Sequence, residues 1–131
     1  MAEYFPVNDE KAYEAGYIIS YVVGSNNEYQ LADKAYDSHM VGVTSENPSV
    51  VLNNPAVGPP VGMTGRVKVK LVNSKKLIKG GDYLTTSKVS GLAQLATKAG
   101  SVIGYAVSNQ KEGEDFVEIL LMPGVYHNPK H

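Results

Sequence analysis

The sequence predicts an all-β domain, a compact sandwich or barrel of short antiparallel strands. Three observations support this prediction. Apolar residues recur mostly at every second position, β-branched and aromatic residues fill the apolar runs, and turn-forming residues end each run. The chain contains 13 glycines and 7 prolines in 131 residues. They interrupt the sequence at roughly ten-residue intervals, which is typical of β sandwiches and barrels rather than of helices.

The clearest strand is "RVKVKLV", residues 66–72, in which three apolar residues alternate with three basic residues. Such alternation places one face of a strand in a core and the other face in water. Five other segments have the composition of strands: "GYIISYVV", "HMVGVTS", "DYLTTS", "SVIGYAV" and "DFVEILLM". Only "KAYEAG" suits a turn of helix. We expect these apolar strand residues in the core: Val67, Val69, Leu71, Ile103, Ile119 and Leu121.

Size and composition indicate one folded unit. With 43% hydrophobic and 19% charged residues, the chain can bury a single core. We assign residues 1–124 to one β domain and residues 125–131 to a C-terminal tail. The formal charge of -1 provides no field that would attract nucleic acid. No segment is long and apolar enough to span a membrane, the N-terminus lacks the features of a signal peptide, and the absence of cysteine excludes disulfides and thiol chemistry.

The two halves of the chain repeat one pattern. The segments "EAGYIIS", "YQLA" and "MVGVTS" return as "KGGDYLTTS", "AQLA" and "VIGYAVS", with offsets of about 65, 64 and 62 residues. The predicted repeats cover residues 14–54 and 79–122. A proline-rich connection, residues 53–62, joins them and is expected to be stiff and extended. Each copy alone would expose an apolar face, so two copies are expected to close a core between them.

Asp37, Ser38 and His39 are the residue types of a hydrolase triad. Consecutive residues of an extended chain point to opposite sides, so these three cannot form a triad among themselves. We interpret "YDSHM" as a tight turn in which the Asp37 carboxylate accepts hydrogen bonds from backbone N–H groups. The remaining histidines, His127 and His131, lie near the C-terminus, and their spacing is not that of a zinc site. The sequence therefore predicts neither a metal nor a cofactor.

Tyrosine is the dominant aromatic residue, with nine tyrosines and no tryptophan. Phenol rings bury apolar area while keeping a hydroxyl group in water, so tyrosines serve protein interfaces and carbohydrate sites as well as cores. The tyrosines that fall within predicted strands are expected to pack in the core: Tyr17, Tyr21, Tyr83 and Tyr105.

The order of several segments resembles the C-terminal domain of bacteriophage neck-appendage and tail-fibre proteins. These segments are "AEYFP", "AGYIIS", "YDSHMVGVTSENPSVVL", "GRVKVKL", "KGGDYLTTS", "GLAQLATKAGSVIGYAV" and "VEILLMPG". The similarity runs from Ala2 to about Gly124, and its most specific parts are "VGVTSENP" and "GDYLTTS". The resemblance implies a β-rich domain that trimerises at the end of an elongated shaft. Some members act as intramolecular chaperones and are then released by self-cleavage as glutamic-type peptidases.

The resemblance also implies an acidic residue just after the point of self-cleavage. Glu3, in "AEYF", is the position that best matches it and is the only catalytic candidate. The chain opens with its own Met and the start of the family pattern, so we expect neither a shaft nor a scissile peptide ahead of it, and no self-cleavage. A hydrolase acting on host polysaccharide would need paired carboxylates in a groove. The acids available for that role occur in predicted turns: Asp82, Glu112, Glu114 and Asp115.

We therefore predict a structural virion domain of the tail-fibre or appendage type, which acts in trimerisation and assembly. Its predicted partners are two further copies of itself, other virion proteins and, as an option, a host-surface glycan. It would be located in the virion after assembly in the host cytoplasm. Three alternatives remain: a capsid-decoration protein, since a similar "GD-φ-L-T" pattern occurs in phage head-stabilising proteins, a self-cleaving peptidase, and a glycan-binding fibre tip. The candidate subunit contacts are Pro55, Pro59, Pro60, Val125 and Tyr126.

Overall fold

The computed structural model describes residues 2–7, 9–45 and 58–127. In these residues nearly all regular structure is β strand, so the all-β prediction is confirmed. A short 3₁₀ helix, Glu10–Tyr13, overlaps the first half of the segment expected to be helical, residues 11–16, and no helix of the described ranges could cross a membrane. The strands are β1 (Ala2–Tyr4), β2 (Ile18–Tyr21), β3 (Tyr29–Leu31), β4 (Met40–Thr44), β5 (Pro60–Gly62), β6 (Gly65–Lys70), β7 (Tyr83–Thr86), β8 (Ala93–Leu95), β9 (Gly100–Ala106) and β10 (Phe116–Tyr126).

Each half of the chain forms its own five-stranded antiparallel sheet. The strand order is β1-β5-β4-β2-β3 in sheet 1 and β6-β10-β9-β7-β8 in sheet 2. Raising each strand number of sheet 1 by five gives the order of sheet 2. Two sheets with identical connectivity, formed by consecutive halves of one chain, confirm that the fold is a duplicated β unit.

The residue pairing repeats as well as the strand order. Ile19 pairs with Gly42 between β2 and β4, and Leu84 pairs with Gly104 between β7 and β9. These matched positions are separated by the offsets found between the sequence repeats. Outside the named strands, single parallel bridges repeat in the same way: Val7 with Tyr29, and Leu71 with Ala93.

The core has a larger and a smaller part. The larger part combines buried residues of the second half, most of them in sheet 2, with three buried residues of the first half, Ile18, Ala32 and Val43. The smaller part belongs to the first half and includes Ile19 and Val61. The two halves thus close a core between them, as the repeat predicted. Of the six residues expected in the core, Val67 is only half-buried and packs against it, while the others are buried: Val69, Leu71, Ile103, Ile119 and Leu121.

Glycine is required at the centres of β4 and β9 by close approach of the neighbouring strand. A Cβ atom on Gly42 would overlap the carbonyl oxygen of Gly62, and a Cβ atom on Gly104 would overlap the carbonyl oxygen of Leu120. Real Cβ atoms do not approach backbone oxygens so closely. The central glycine that the two sequence repeats share therefore has a steric cause.

The predicted boundaries differ from the observed strands at two places. Strand β10 continues to Tyr126, two residues beyond the predicted end of the domain at residue 124, after a register shift between Leu121 and Gly124. Within the predicted proline-rich connection, Pro60–Gly62 forms strand β5 and pairs with both β1 and β4. Most of the remaining connection, residues 53–57, lies outside the described residues.

Candidate functional site

Asp37 lies in the turn between β3 and β4, and its carboxylate accepts several hydrogen bonds. The Ser20 hydroxyl donates to Oδ2 at 2.8 Å, and the backbone N–H of His39 donates to Oδ1 at 2.8 Å. The Nδ1 atom of His39 lies 3.3 Å from the same Oδ1. The predicted role of Asp37, accepting a hydrogen bond from a backbone N–H of its own turn, is confirmed.

The arrangement of these side chains does not suit nucleophilic catalysis. In a catalytic triad the histidine lies between the nucleophile and the carboxylate, so that it can remove the proton. Here the carboxylate of Asp37 lies between Ser20 and His39. The Ser20 side chain is also buried, which keeps a substrate away from its oxygen. The cluster holds a turn in place.

Sequence reasoning did not find Ser20, because it lies 17 residues before Asp37. The register of β2 against β4 brings the two together, since Ser20 pairs with Met40. A polar residue within an apolar strand was the available indication, because a buried hydroxyl group requires a partner.

The same turn connects the two halves of the chain. The Asp37 backbone N–H donates to the Thr86 hydroxyl of β7 at 2.9 Å, and that hydroxyl donates to the backbone oxygen of Lys34. The phenol oxygen of Tyr36 accepts from the N–H groups of Thr97 and Lys98 at 2.9 and 3.2 Å. The Lys98 ammonium lies 5.2 Å from the centroid of the Tyr36 ring.

These contacts shift the ionisation of Tyr36. Burial by itself would raise the pKa of the phenol, because it disfavours the charged form. The hydrogen bonds from Thr97 and Lys98 and the charge of Lys98 favour the phenolate and outweigh burial, so the pKa of Tyr36 is lowered from its ordinary value of 10.0.

Three tyrosines of sheet 2 form an aromatic group at the surface, here called the tyrosine cluster. The ring of Tyr83 lies 5.7 Å from the ring of Tyr105, and it stacks on Tyr126 at 4.4 Å with 23° between the planes. All three residues are half-buried. The expected core position is therefore wrong for Tyr83 and Tyr105. It is also wrong for Tyr21, which is 44% exposed, whereas Tyr17 packs partly against the smaller core.

The predicted subunit contacts fall in different environments. Tyr126 belongs to the tyrosine cluster, and its neighbour Val125 is 69% exposed near the end of β10. Pro59 and Pro60 are buried within the chain, so their surfaces already serve its own packing. Pro55 lies outside the described residues.

The position proposed for catalysis, Glu3, lies in β1 and pairs with Val61 of β5. Of the other acids, Asp82 accepts a 2.8 Å hydrogen bond from the backbone N–H of Lys79 in a turn. The acids at 112, 114 and 115 are among the residues that line an open cleft of about 890 Å³ on the second half. Among the described residues, no group of three or more His, Asp or Glu side chains is placed to hold a metal ion.

No protein-family model, curated protein or solved structure matches the chain. The fold and the surface define it as a duplicated all-β domain with an aromatic patch on the outside of its second sheet.

Proposed function

We propose that the chain is a structural domain of a virion, of the tail-fibre or appendage type, and that it acts by associating with copies of itself. The observation that carries this proposal is the apolar surface of sheet 2. The tyrosine cluster lies there, and on β10 Met122 and Val125 are 51% and 69% exposed. Aromatic residues and methionine are enriched where proteins meet, because they bury large areas on contact.

The hydrogen bonding of the polar residues agrees with an assembly role. Ser20, Asp37 and His39 are the side chains most suggestive of a reaction centre, and they hold a turn instead. A buried side-chain polar atom without a partner would point to chemistry that needs a ligand. Within the described part of the chain, every such atom has a hydrogen-bond partner.

The proposed stoichiometry is a homotrimer, because a domain at the end of a three-chain shaft must share the symmetry of the shaft. Other virion proteins are the further proposed partners. This part of the proposal rests on the resemblance of the sequence to neck-appendage and tail-fibre domains.

The mass of the full chain in solution tests the proposal. Light scattering coupled to size-exclusion chromatography, over a series of concentrations, should give three times the chain mass of 14.1 kDa. A monomer at every concentration would contradict self-association. A monomer that nevertheless binds an assembled capsid lattice would favour the capsid-decoration alternative.

The tyrosine cluster also favours a second candidate, a glycan-binding fibre tip, because aromatic rings stack on the apolar faces of sugars. Two results together would support this candidate. The wild-type chain would bind glycans on an array, and Tyr83→Ala and Tyr105→Ala variants with the same mass in solution as the wild type would lose that binding. Loss of the oligomer in the same variants, with no glycan bound by the wild type, would support assembly.

A further inference from the structure

A cavity of about 320 Å³ lies beside β8, the last strand in the order of sheet 2. Its apolar wall consists of Leu71, Ile78, Ala93 and Leu95. The three residues of the tyrosine cluster are not among the residues that line it. Small-molecule sites in proteins begin at roughly 300 Å³. The cavity therefore has the size of a site for one small organic molecule.

The first half of the chain shows what fills the equivalent place in the duplicated unit. Val7 bridges to Tyr29 as Leu71 bridges to Ala93, so Ala93 is the counterpart of Tyr29. The half-buried Tyr29 packs against the smaller core, and its ring lies 4.3 Å from the ring of Phe5. The first half thus places an aromatic ring where the second half has only the methyl group of Ala93.

The apolar surroundings of that ring are repeated around the cavity. Ile19 of β2 pairs with Leu31 of β3. Leu84 of β7 pairs with Leu95 of β8 in the same way. Leu31 and Leu95 are therefore counterparts, and Leu95 lines the cavity. A small side chain in the place of a large one leaves a space unless its neighbours move in. The second half keeps apolar walls of this position and leaves out the ring.

The charge beside the cavity favours an anionic group. Lys76 is exposed and lines the cavity. Among the described residues its ammonium group forms no ion pair, and none of the described lining residues is acidic. The acids at 112, 114 and 115 line the adjoining cleft instead. A ligand that carries a carboxylate would therefore meet a lysine without a competing carboxylate.

Hydrogen bonds hold the wall in place. The Gln110 side-chain carbonyl accepts from the Ile78 N–H at 2.9 Å, and its amide donates to the backbone oxygen of Glu114 at 2.7 Å. The Ser74 hydroxyl oxygen accepts from the N–H of Lys76 at 3.2 Å. Since these contacts are made within the chain, the cavity is formed before any ligand enters.

We propose that this cavity binds a small aryl carboxylate. Its ring takes the place that Tyr29 occupies in the first half, and its carboxylate lies beside Lys76. An apolar pocket with one placed charge is the usual composition of a small-molecule site, because burial supplies affinity and the charge fixes the orientation. The site goes beyond the proposed role in assembly and does not depend on it.

Titration of the ¹⁵N-labelled full chain with phenylacetate, followed by NMR, tests the site. Saturable shifts are expected for the amides of Ala93, Leu95 and Gln110. Benzylamine carries a ring and the opposite charge, and acetate carries the carboxylate without the ring, so both should bind more weakly. Phenylacetate that shifts none of the cavity amides overturns the site. Equal affinity for benzylamine overturns the carboxylate, and equal affinity for acetate overturns the ring.

A pair of lysine variants tests the position of the carboxylate. Lys76→Gln should weaken phenylacetate binding about two- to fivefold, the effect of losing one exposed ion pair. Lys75→Gln is the matched control, because Lys75 is the exposed neighbour and does not line this cavity. Equal affinities of the two variants would overturn the placement beside Lys76.

Ala93→Tyr tests the position of the ring, because it supplies from within the chain the side chain found at the equivalent position of the first half. The variant should lose phenylacetate binding, with a thermal melt confirming that it folds. Unchanged binding by the folded variant would overturn this placement. If the variant does not fold, the titrations and the lysine variants decide. Both outcomes are independent of the mass in solution, so failure of this inference leaves the proposed assembly role standing.

Discussion

The hydroxyl of Ser20 donates a 2.8 Å hydrogen bond to the carboxylate of Asp37, and both side chains are buried. The contact ties β2 to the turn that precedes β4. Asp37 also accepts from the N–H of His39 in that turn, and its own N–H donates to Thr86 of the second half. One buried carboxylate thus orders a turn at the boundary between the two halves.

Replacing Asp37 with Ala should destabilise the fold by about 1–3 kcal/mol, because the Ser20 hydroxyl and the His39 N–H would lose their acceptor. Urea denaturation followed by circular dichroism measures this change. His39→Ala is the matched control and should cost no more than about 0.5 kcal/mol, as expected of a surface side chain. A folded His39→Ala variant that no longer assembles would contradict the structural role given to this turn.

Replacing Val69 with Asp should prevent folding, because Val69 has no exposed surface and a charge there would have no partner. The neighbouring Lys68 points to the opposite face of β6 and is exposed. Lys68→Gln should therefore leave a cooperative thermal transition. Amide chemical-shift dispersion distinguishes the two outcomes, and a dispersed spectrum for Val69→Asp would contradict the assignment of the core.

Gly42→Ala and Gly104→Ala should each lower the free energy of unfolding by about 1–3 kcal/mol or more, since this is the usual effect of forcing extra atoms into a packed site. In both variants the new methyl group would overlap a backbone oxygen of the adjacent strand. Gly124→Ala is the control, because the nearest atom to a Cβ there is 3.9 Å away. Equal melting temperatures for Gly104→Ala and Gly124→Ala would contradict the close approach of β9 and β10.

The lowered pKa of Tyr36 predicts how stability depends on pH. Since the folded chain favours the phenolate, stability should rise as the pH increases from the folded pKa of Tyr36 towards the ordinary value of 10.0, and should be lost again as the pH falls through the folded pKa. A titration of phenolate absorbance should show one tyrosine ionising early, and Tyr36→Phe should remove that step. An unchanged titration curve in the variant would contradict the assignment.

Sequence patterns predicted the long strands and the duplication, because these depend on local regularities. Alternation of Val67, Val69 and Leu71 with lysine and arginine marks β6, and the offsets between the repeats match the register of the two sheets. Strand β1 has only three residues, too few to show a period. Strand β5 contains Pro60, which normally argues against a strand. Pro60 is nevertheless part of the sheet, because its backbone carbonyl oxygen accepts a hydrogen bond from the N–H of Ser45.

The candidate surfaces were harder to predict, since they depend on contacts between distant residues. Tyr83 and Tyr105 have the composition expected of a core strand, and nothing local indicates which face of sheet 2 is covered. Ile18 and Val43, their counterparts, have no exposed surface, so equal positions in the two repeats differ in burial. Burial at these positions depends on how one half packs on the other, and the local sequence pattern does not show that packing.

Duplication within one polypeptide has a consequence for how the protein can evolve. In a ring of identical chains that each held a single unit, every substitution would appear in every contact between units. In this chain, the contact that Ile18 and Val43 make with the second half lies within one polypeptide. The covalent link keeps the two sides of that contact at high effective concentration, so the contact is maintained. The aromatic surface that bears Tyr83 and Tyr105, which we propose for self-association, lies outside that contact, so substitutions there can change the proposed association without weakening the fold of the single molecule.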